Sequence, residues 1–280
     1  MKKMNKLHTR ITISLLFLSV VLPASKVFSQ KKANDEIDSS ENKTTTKAPL
    51  SFDKEIQPFY LHSQVKSMHL WRGLAVTNSW MVAMDGGVGT NDGKLKAGVW
   101  GGYSSNGVYK EFDYYAIYSP IKNLTFALWD IYNYSTNATW NNNSFLNYNA
   151  DTTGHFLDLS ASWTVSEKVP LNLYWATVIE GRDRTVKNDG NRYSTYVQAT
   201  YPVYKSTNMS LSLLVGGSFA LKPDKDSKAQ FYGPKDGFNN IGFILTRDLH
   251  IGNYTLPVSM QPSWNVIGKQ GNVQLAFNVF

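Results

Sequence analysis

Carboxylates and guanidinium groups are where this chain could do chemistry. Glu111 and Asp113 stand two apart in KEFDYY, which puts both on one face of a strand, and Asp158 takes the same kind of position in HFLDLS. Asp85 lies in a neighbouring strand-like run, and Arg72 precedes Gly73 at the end of another. A guanidinium can clasp a carboxylate through two parallel hydrogen bonds. Arg72 with Glu111, Asp113 and Asp85 therefore predicts an arginine–carboxylate network wherever the sheet turns that face inward. Lys94, Lys96, Glu180 and Arg192 add both signs toward strand ends. Buried charges are generally paired, so such a network can be packing alone. The sharper reading is a constriction that selects solutes, with little preference between anions and cations because the signs are mixed.

Other chemistries find less support. His62, His69, His155 and His250 are scattered, without His-Glu-x-x-His spacing or a nucleophile signature. A serine, a histidine and an acid need only meet in space, which leaves a lipid-modifying enzyme as an alternative; no enzyme is expected. No glycine-rich phosphate loop precedes a helix, and neither a cofactor nor a metal site is expected. Cysteine is absent, which excludes a disulfide scaffold, thiol catalysis and thiolate metal sites.

The formal charge of +7 belongs mostly to the first 29 residues. Lys2, Lys3, Lys6, Arg10 and Lys26 have no acidic residue among them, and subtracting those five leaves +2, too little to argue for nucleic acid. The same stretch, 1–29, reads as a signal peptide: a basic start, an apolar run from Ile11 to Leu22, and Val27-Phe28-Ser29 before Gln30. Residues 30–56 are polar and lack periodicity, which predicts a flexible periplasmic segment, with an ordered plug or partner-binding arm as the alternative. No apolar run reaches the ~18 residues of a membrane-spanning helix.

The elements that must position the charges are strands. From 57 to 280 about twelve runs alternate: 58–70, 76–89, 94–104, 108–119, 122–134, 155–165, 171–181, 192–203, 208–220, 239–248, 251–262 and 271–280. Their connections sort into short ones (90–93, 120–122, 166–170, 204–207, 248–252) and long polar ones (135–154, 182–191, 221–238), the long ones only at alternate positions. Outer-membrane barrels show that asymmetry, with short periplasmic turns and long outer loops. In 155–165 the odd set His155, Leu157, Leu159, Ala161, Trp163 and Val165 is largely apolar; the even set holds Asp158, Ser160, Ser162 and Thr164. Mean hydropathy is only −0.31 because half of each strand is polar.

The run from Lys94 to Ser119 fixes one register outright. Asn106-Gly107 predicts a two-residue type I′ turn, which pairs Tyr103 with Lys110, Gly101 with Phe112, Val99 with Tyr114 and Leu95 with Tyr118. The other face then carries Gly102, Trp100, Gly98, Glu111, Asp113 and Tyr115, with a large residue opposite each strand glycine. Loop asymmetry assigns the greasy face to lipid and the charged one to the lumen, and places the Asn106-Gly107 tip at the outer end. The long loop with Trp140 and Asn141 to Asn143 reads as a solvated outer loop able to meet surface glycans or partners.

Three quotations carry a resemblance: Leu70-Trp71-Arg72-Gly73, Ala97-Gly98-Val99-Trp100-Gly101-Gly102 and Glu111-Phe112-Asp113-Tyr114-Tyr115. With them the segment 64–134 resembles the TorF-like porin family of bacterial outer-membrane proteins. The resemblance covers about a quarter of the chain and implies a closed outer-membrane barrel with a pore role. The final Phe280, after GNVQLAFNVF, resembles the terminal aromatic by which the barrel-assembly machinery recognises its substrates. Val273, Leu275, Phe277 and Val279 are out of phase with it, which calls for a bulge or a loose signal.

The sequence therefore predicts an all-β, closed transmembrane antiparallel up-and-down β-barrel of about 12 strands over 57–280, in the bacterial cell outer membrane among its lipids. Its expected role is a porin-like channel for small polar solutes, with Arg72, Asp85, Trp100, Glu111, Asp113, Tyr115, Asp158 and Arg192 as lumen or constriction residues. The alternative is an adhesin-like or structural surface barrel acting through its long outer loops.

Overall fold

The computed structural model describes residues 59–136, 138 and 144–280; the predicted signal peptide, the segment 30–56, and Trp140 with Asn141 to Asn143 lie outside the described residues. Among the described residues there is no helix. The strands in order are β1 (Phe59–Lys66), β2 (His69–Trp71), β3 (Leu74–Thr77), β4 (Met81–Gly89), β5 (Leu95–Ser104), β6 (Lys110–Ile121) and β7 (Leu124–Asn133), then β8 (His155–Thr164), β9 (Asn172–Gly181), β10 (Ser194–Lys205), β11 (Met209–Ala220), β12 (Gly237–Ile251), β13 (Tyr254–Asn265) and β14 (Gln270–Asn278). Twelve of them close an antiparallel barrel in which each pairs with its sequence neighbour, β1 pairs with β4, and β14 returns to β1; β2 and β3 form a separate two-stranded hairpin.

The wall alternates as its sequence dictates, with the polarity of a soluble core reversed. Outward positions are apolar and exposed: Phe59 is 73% accessible, Leu61 55% and Tyr118 46%. Inward positions include Asp113, Ser104, Asp158 and Ser160, all buried. A barrel of this size can fill its interior with side chains, and here buried polar groups share it with two apolar clusters, one around Met81, Ala83 and Tyr109 and one around Ile131, Phe156 and Val178.

The predicted β5–β6 register is the observed one, from Tyr103 opposite Lys110 to Leu95 opposite Tyr118. The turn differs. Only Gly107 takes positive φ (70°), and Gly107 N–H donates to the Ser104 carbonyl at 2.9 Å, so the tip is not type I′. Asn106 is instead held by its side chain: Oδ1 accepts from Ser104 Oγ (2.6 Å) and from Val108 N–H (3.1 Å), and Nδ2 donates to Ser79 Oγ (2.7 Å). The type I′ geometry occurs at Arg72-Gly73, where φ is 51° and 81°.

That second turn corrects the predicted strands 58–70 and 76–89. The wall leaves off at Lys66 and resumes at Met81, and residues 67–80 fold away from it as the β2–β3 hairpin. Arg72 is thus at a hairpin tip and not at the end of a wall strand. The alternating pattern runs unbroken from wall into hairpin, so periodicity alone could not mark the departure. A smaller correction concerns 248–252, expected to be a connection: β12 runs through it to Ile251, and the turn shrinks to Gly252-Asn253, with Gly252 at φ 60°.

The seam is the shortest ladder of the barrel. β1 meets β14 only at Gln64, Val65 and Lys66, extended by Ser63 N–H to the Phe280 carbonyl and Val279 N–H to the Ser63 carbonyl, both 2.8 Å. β14 carries no register shift, so the phase difference of Phe280 is not absorbed by a bulge; its ring is exposed beyond the strand end.

Tyr115 lies across Gly98, where an added Cβ would sit 2.5 Å from its Oη, whereas nothing comes within 3.8 Å of a Cβ at Gly101. Gly98→Val should collide with the Gly86 carbonyl oxygen and push Tyr115 away from Trp129, centroids 4.4 Å apart, at a cost of about 1–3 kcal/mol. Urea midpoints of the folded barrel should fall for that variant and stay near wild type for Gly101→Val.

Candidate functional site in the barrel lumen

The β2–β3 hairpin crosses the interior from the β1/β4 side to strands on the far side of the ring. At its tip Arg72 Nη1 donates to Asp158 Oδ1 at 2.8 Å and Nη2 to Asp158 Oδ2, a fork on β8. Two tyrosines complete the set: Nη1 donates to the Tyr232 hydroxyl at 2.6 Å and Nη2 to the Tyr174 hydroxyl at 2.7 Å. The guanidinium carbon lies 4.5 Å from the Trp71 ring centroid and 5.4 Å from that of Tyr174, so aromatic faces meet the remaining charge. Side-chain exposure is 8% for Arg72 and 1% for Asp158, which makes this a buried pair.

The turn backbone is docked as firmly as the side chain. Asn239 Nδ2 donates to the Arg72 carbonyl (3.1 Å) and Asn265 Nδ2 to the Gly73 carbonyl (3.2 Å). Asn239 can reach inward because β12 slips register against Gly216 and Gly217, so that it and Asn240 are both buried although adjacent. Gly73 has no room for a side chain: a Cβ would stand 1.8 Å from the Asn239 carbonyl oxygen.

Loop 221–236 also folds inward. Tyr232 N–H donates to Gln230 Oε1 (2.6 Å), Gln230 Nε2 donates to Ser218 Oγ (2.7 Å), and Phe231 N–H donates to Ser194 Oγ (2.9 Å). Burial pushes the Tyr232 phenol up from its ordinary value, with the charge of Arg72 pulling the other way. Ser194 passes the contact to loop 182–193, where Asp183 accepts from the Ser194 hydroxyl (2.9 Å) and from Arg192 Nε (3.1 Å). Burial raises the Asp183 carboxyl, against those bonds.

The eight predicted lumen residues therefore sort into separate groups. Arg72 meets Asp158, and not Glu111, Asp113 or Asp85 as expected. Glu111 and Asp113 lie within electrostatic reach of Arg182; burial lowers the pKa of that guanidinium and the two carboxylates oppose the shift. Asp113 Oδ1 accepts from Tyr132 N–H (3.2 Å), and Glu111 Oε2 accepts from Asn133 Nδ2 (2.9 Å). Trp100 stacks on His69 of the hairpin, centroids 5.7 Å apart, with Lys66 Nζ 5.9 Å from its ring. Toward the short-turn end Tyr115 donates to Asp85, the Tyr60 hydroxyl lies 2.7 Å from that of Tyr115, and Lys96 Nζ sits 4.8 Å from the Tyr60 ring. Arg192 is a loop tie: Nη1 donates to the Ala229 carbonyl (2.9 Å), linking 182–193 to 221–236 instead of lining the wall.

Sequence reasoning missed Tyr174, Tyr232, Asn239, Asn265 and Arg182. Antiparallel ladders name a residue's neighbours along the wall but not what it meets across the lumen. His155 shares the outward set of β8 with Leu157. Its Nδ1 lies 2.7 Å from Asp130 Oδ1, Nε2 donates to the Phe145 carbonyl (2.6 Å), and the ring is stacked between Tyr132 and Tyr148. With both nitrogens committed, it pins Phe145 and Tyr148 to the barrel's outside. Among the described residues no group of three His, Asp or Glu side chains could hold a metal ion.

No protein-family model matches the chain, and no curated protein matches it.

Removing one partner of a buried ion pair strands the other charge, at about 3–5 kcal/mol. Asp158→Asn should therefore undock the hairpin and speed hydrogen exchange of amides 69–77 by ~100-fold or more, while amides of β8 and β9 keep wild-type protection. Arg72→Gln combined with Asp158→Asn should lose less than the sum of the two single changes, measured by the same exchange.

Proposed function

We propose that this chain is an outer-membrane barrel whose lumen serves as a porin-like channel for small polar solutes, with the 67–80 hairpin as its obstructing element. The observation that carries this reading is the reversed wall: exposed apolar residues all round the outside, charged and amide side chains buried inside. In water that distribution costs free energy at every outward Leu, Val and Phe; in a bilayer it becomes favourable. Wall strands of 8 to 15 residues suit the ~9–11 that a tilted membrane strand needs.

Further support comes from the ends. Connections 90–94, 122–123, 206–208 and 252–253 are short, while 67–80, 134–154, 182–193 and 221–236 gather at the opposite end, the arrangement of periplasmic turns and outer loops. The resemblance of 64–134 to TorF-like porins points the same way. In this reading the hairpin enters from the outer side, and the polar groups flanking it line the solute path.

The extent to which the hairpin fills the lumen favours one competing function, a closed surface or structural barrel that acts through its outer loops without transport. Planar bilayers separate the two. Wild-type protein should give small, infrequent conductance steps, and Arg72→Ala, which removes the grip on Asp158, should raise their size or frequency several-fold. Well-folded protein that gives no discrete steps in either form would end the channel reading and leave the surface barrel.

A further inference from the structure

Beside the docked hairpin lies a cavity of ≈ 330 Å³, bounded by Trp71 and His69 on the hairpin side and by Glu111, Phe156, Arg182 and Phe231 on the other. At roughly 30 Å³ per water it has room for about ten, within reach of small-molecule sites, which begin near 300 Å³. Docking of the hairpin uses Trp71 against Arg72, and it does not use the side chains of Arg182 and Glu111.

The electrostatics of the cavity are incomplete. Arg182 is 8% exposed, its Nε has no hydrogen-bond partner among the described residues, and its guanidinium carbon lies 4.9 Å from the Phe156 ring centroid. His69 Nδ1 is likewise buried without a partner among the described residues. Glu111 has one oxygen engaged by Asn133 and lies within electrostatic reach of Arg182 and Lys66, yet no direct ion pair joins it to Arg182. A buried guanidinium short of acceptors is costly, and a solute carrying an anionic group would supply them. Asn133, Asn265 and Gln270 add amides to the lining, and beside them lies an aromatic patch in which Trp71, Phe156 and Phe231 pack edge to face or tilted, with centroids 4.8 to 6.0 Å apart.

One small solute answers the guanidinium, the carboxylate and the aromatic patch together. We infer that the cavity binds a free α-amino acid with an apolar side chain: its carboxylate on Arg182, its ammonium on Glu111, and its side chain against Trp71, Phe156 and Phe231. The two charges of an α-amino acid sit on neighbouring atoms of one carbon, which suits an opposed Arg–Glu couple that does not close on itself. A hexose would bring no charge to either group, and a dicarboxylate would set a second anion against Glu111. The inference deepens the channel reading by naming a solute, but stands on binding alone.

Isothermal titration calorimetry on the full chain, folded in detergent, tests it with L-leucine and L-phenylalanine as probes. Each should bind saturably at one site per chain, and N-acetyl-leucine, leucinamide and glucose should bind at least about tenfold more weakly, the loss expected for a missing charged hydrogen bond. Arg182→Gln and Glu111→Gln should weaken L-leucine by a similar factor while keeping the heat-modifiable migration of a folded barrel. Absence of binding by wild type, equal binding of the capped forms or glucose, or unchanged affinity in both variants would overturn the assignment. Should a variant fail to fold, the capped ligands on wild type decide by themselves. Binding without conductance removes the channel and keeps this site; conductance without binding removes this site and keeps the channel.

Discussion

A guanidinium in the middle of a barrel has to find its solvation from the protein. Arg72 finds it in the two oxygens of Asp158, two phenol hydroxyls and several aromatic faces, and this one contact organises everything above it. Two charges buried from water gain little net stability from each other alone; the added hydroxyls and rings make the arrangement tolerable. In return the pair fixes the hairpin tip at a single point of the far wall. From there a continuous series of hydrogen bonds runs through Tyr232, Gln230 and Ser218, and through Phe231, Ser194 and Asp183 to Arg192. Three loops that are distant in sequence thereby share one anchor.

The same contact explains a backbone oddity. Arginine at φ 51° is unusual, since the left-handed region costs a side-chain-bearing residue about 1–2 kcal/mol. The wall asparagines that donate to the turn carbonyls, Asn239 and Asn265, and the fork on Asp158 hold it there from both sides. Gly73 completes the turn where the Asn239 backbone leaves no space for a Cβ. The strain and the docking belong to one device.

What the sequence made legible follows from periodicity two. Alternation in 155–165 put Asp158 inward and Leu157 outward, and the Asn106-Gly107 pair set the whole β5–β6 register, even though the turn itself is built by the Asn106 side chain and not by two positive φ angles. Loop lengths separated the two ends of the barrel. The departure of 67–80 was hidden because Leu70-Trp71 and Leu74-Ala75-Val76 alternate just as the wall does, and Arg-Gly is a weak turn signal until a carboxylate across the lumen holds the arginine. The choice of Asp158 over Glu111 as its partner depends on which strands face each other in the closed ring, which no local pattern encodes. Arg192 was misplaced for a simpler reason: β10 begins at Ser194, two residues later than its polar alternation suggested.

Beneath the hairpin, β1 and β4 pair with each other along all eight residues of β1, from Phe59 opposite Val88 to Lys66 opposite Met81. The wall is therefore already complete without the fourteen residues looped out between them. Closure of the barrel rests on twelve ladders, whereas docking of the hairpin rests on its tip contacts, the stack of His69 on Trp100 and the bond from Leu70 N–H to Gln274. Whatever shifts the second, whether a substitution or a bound solute, acts against a free energy far smaller than that of unfolding. The interior can thus be rearranged on its own terms while the ring of strands around it stays whole.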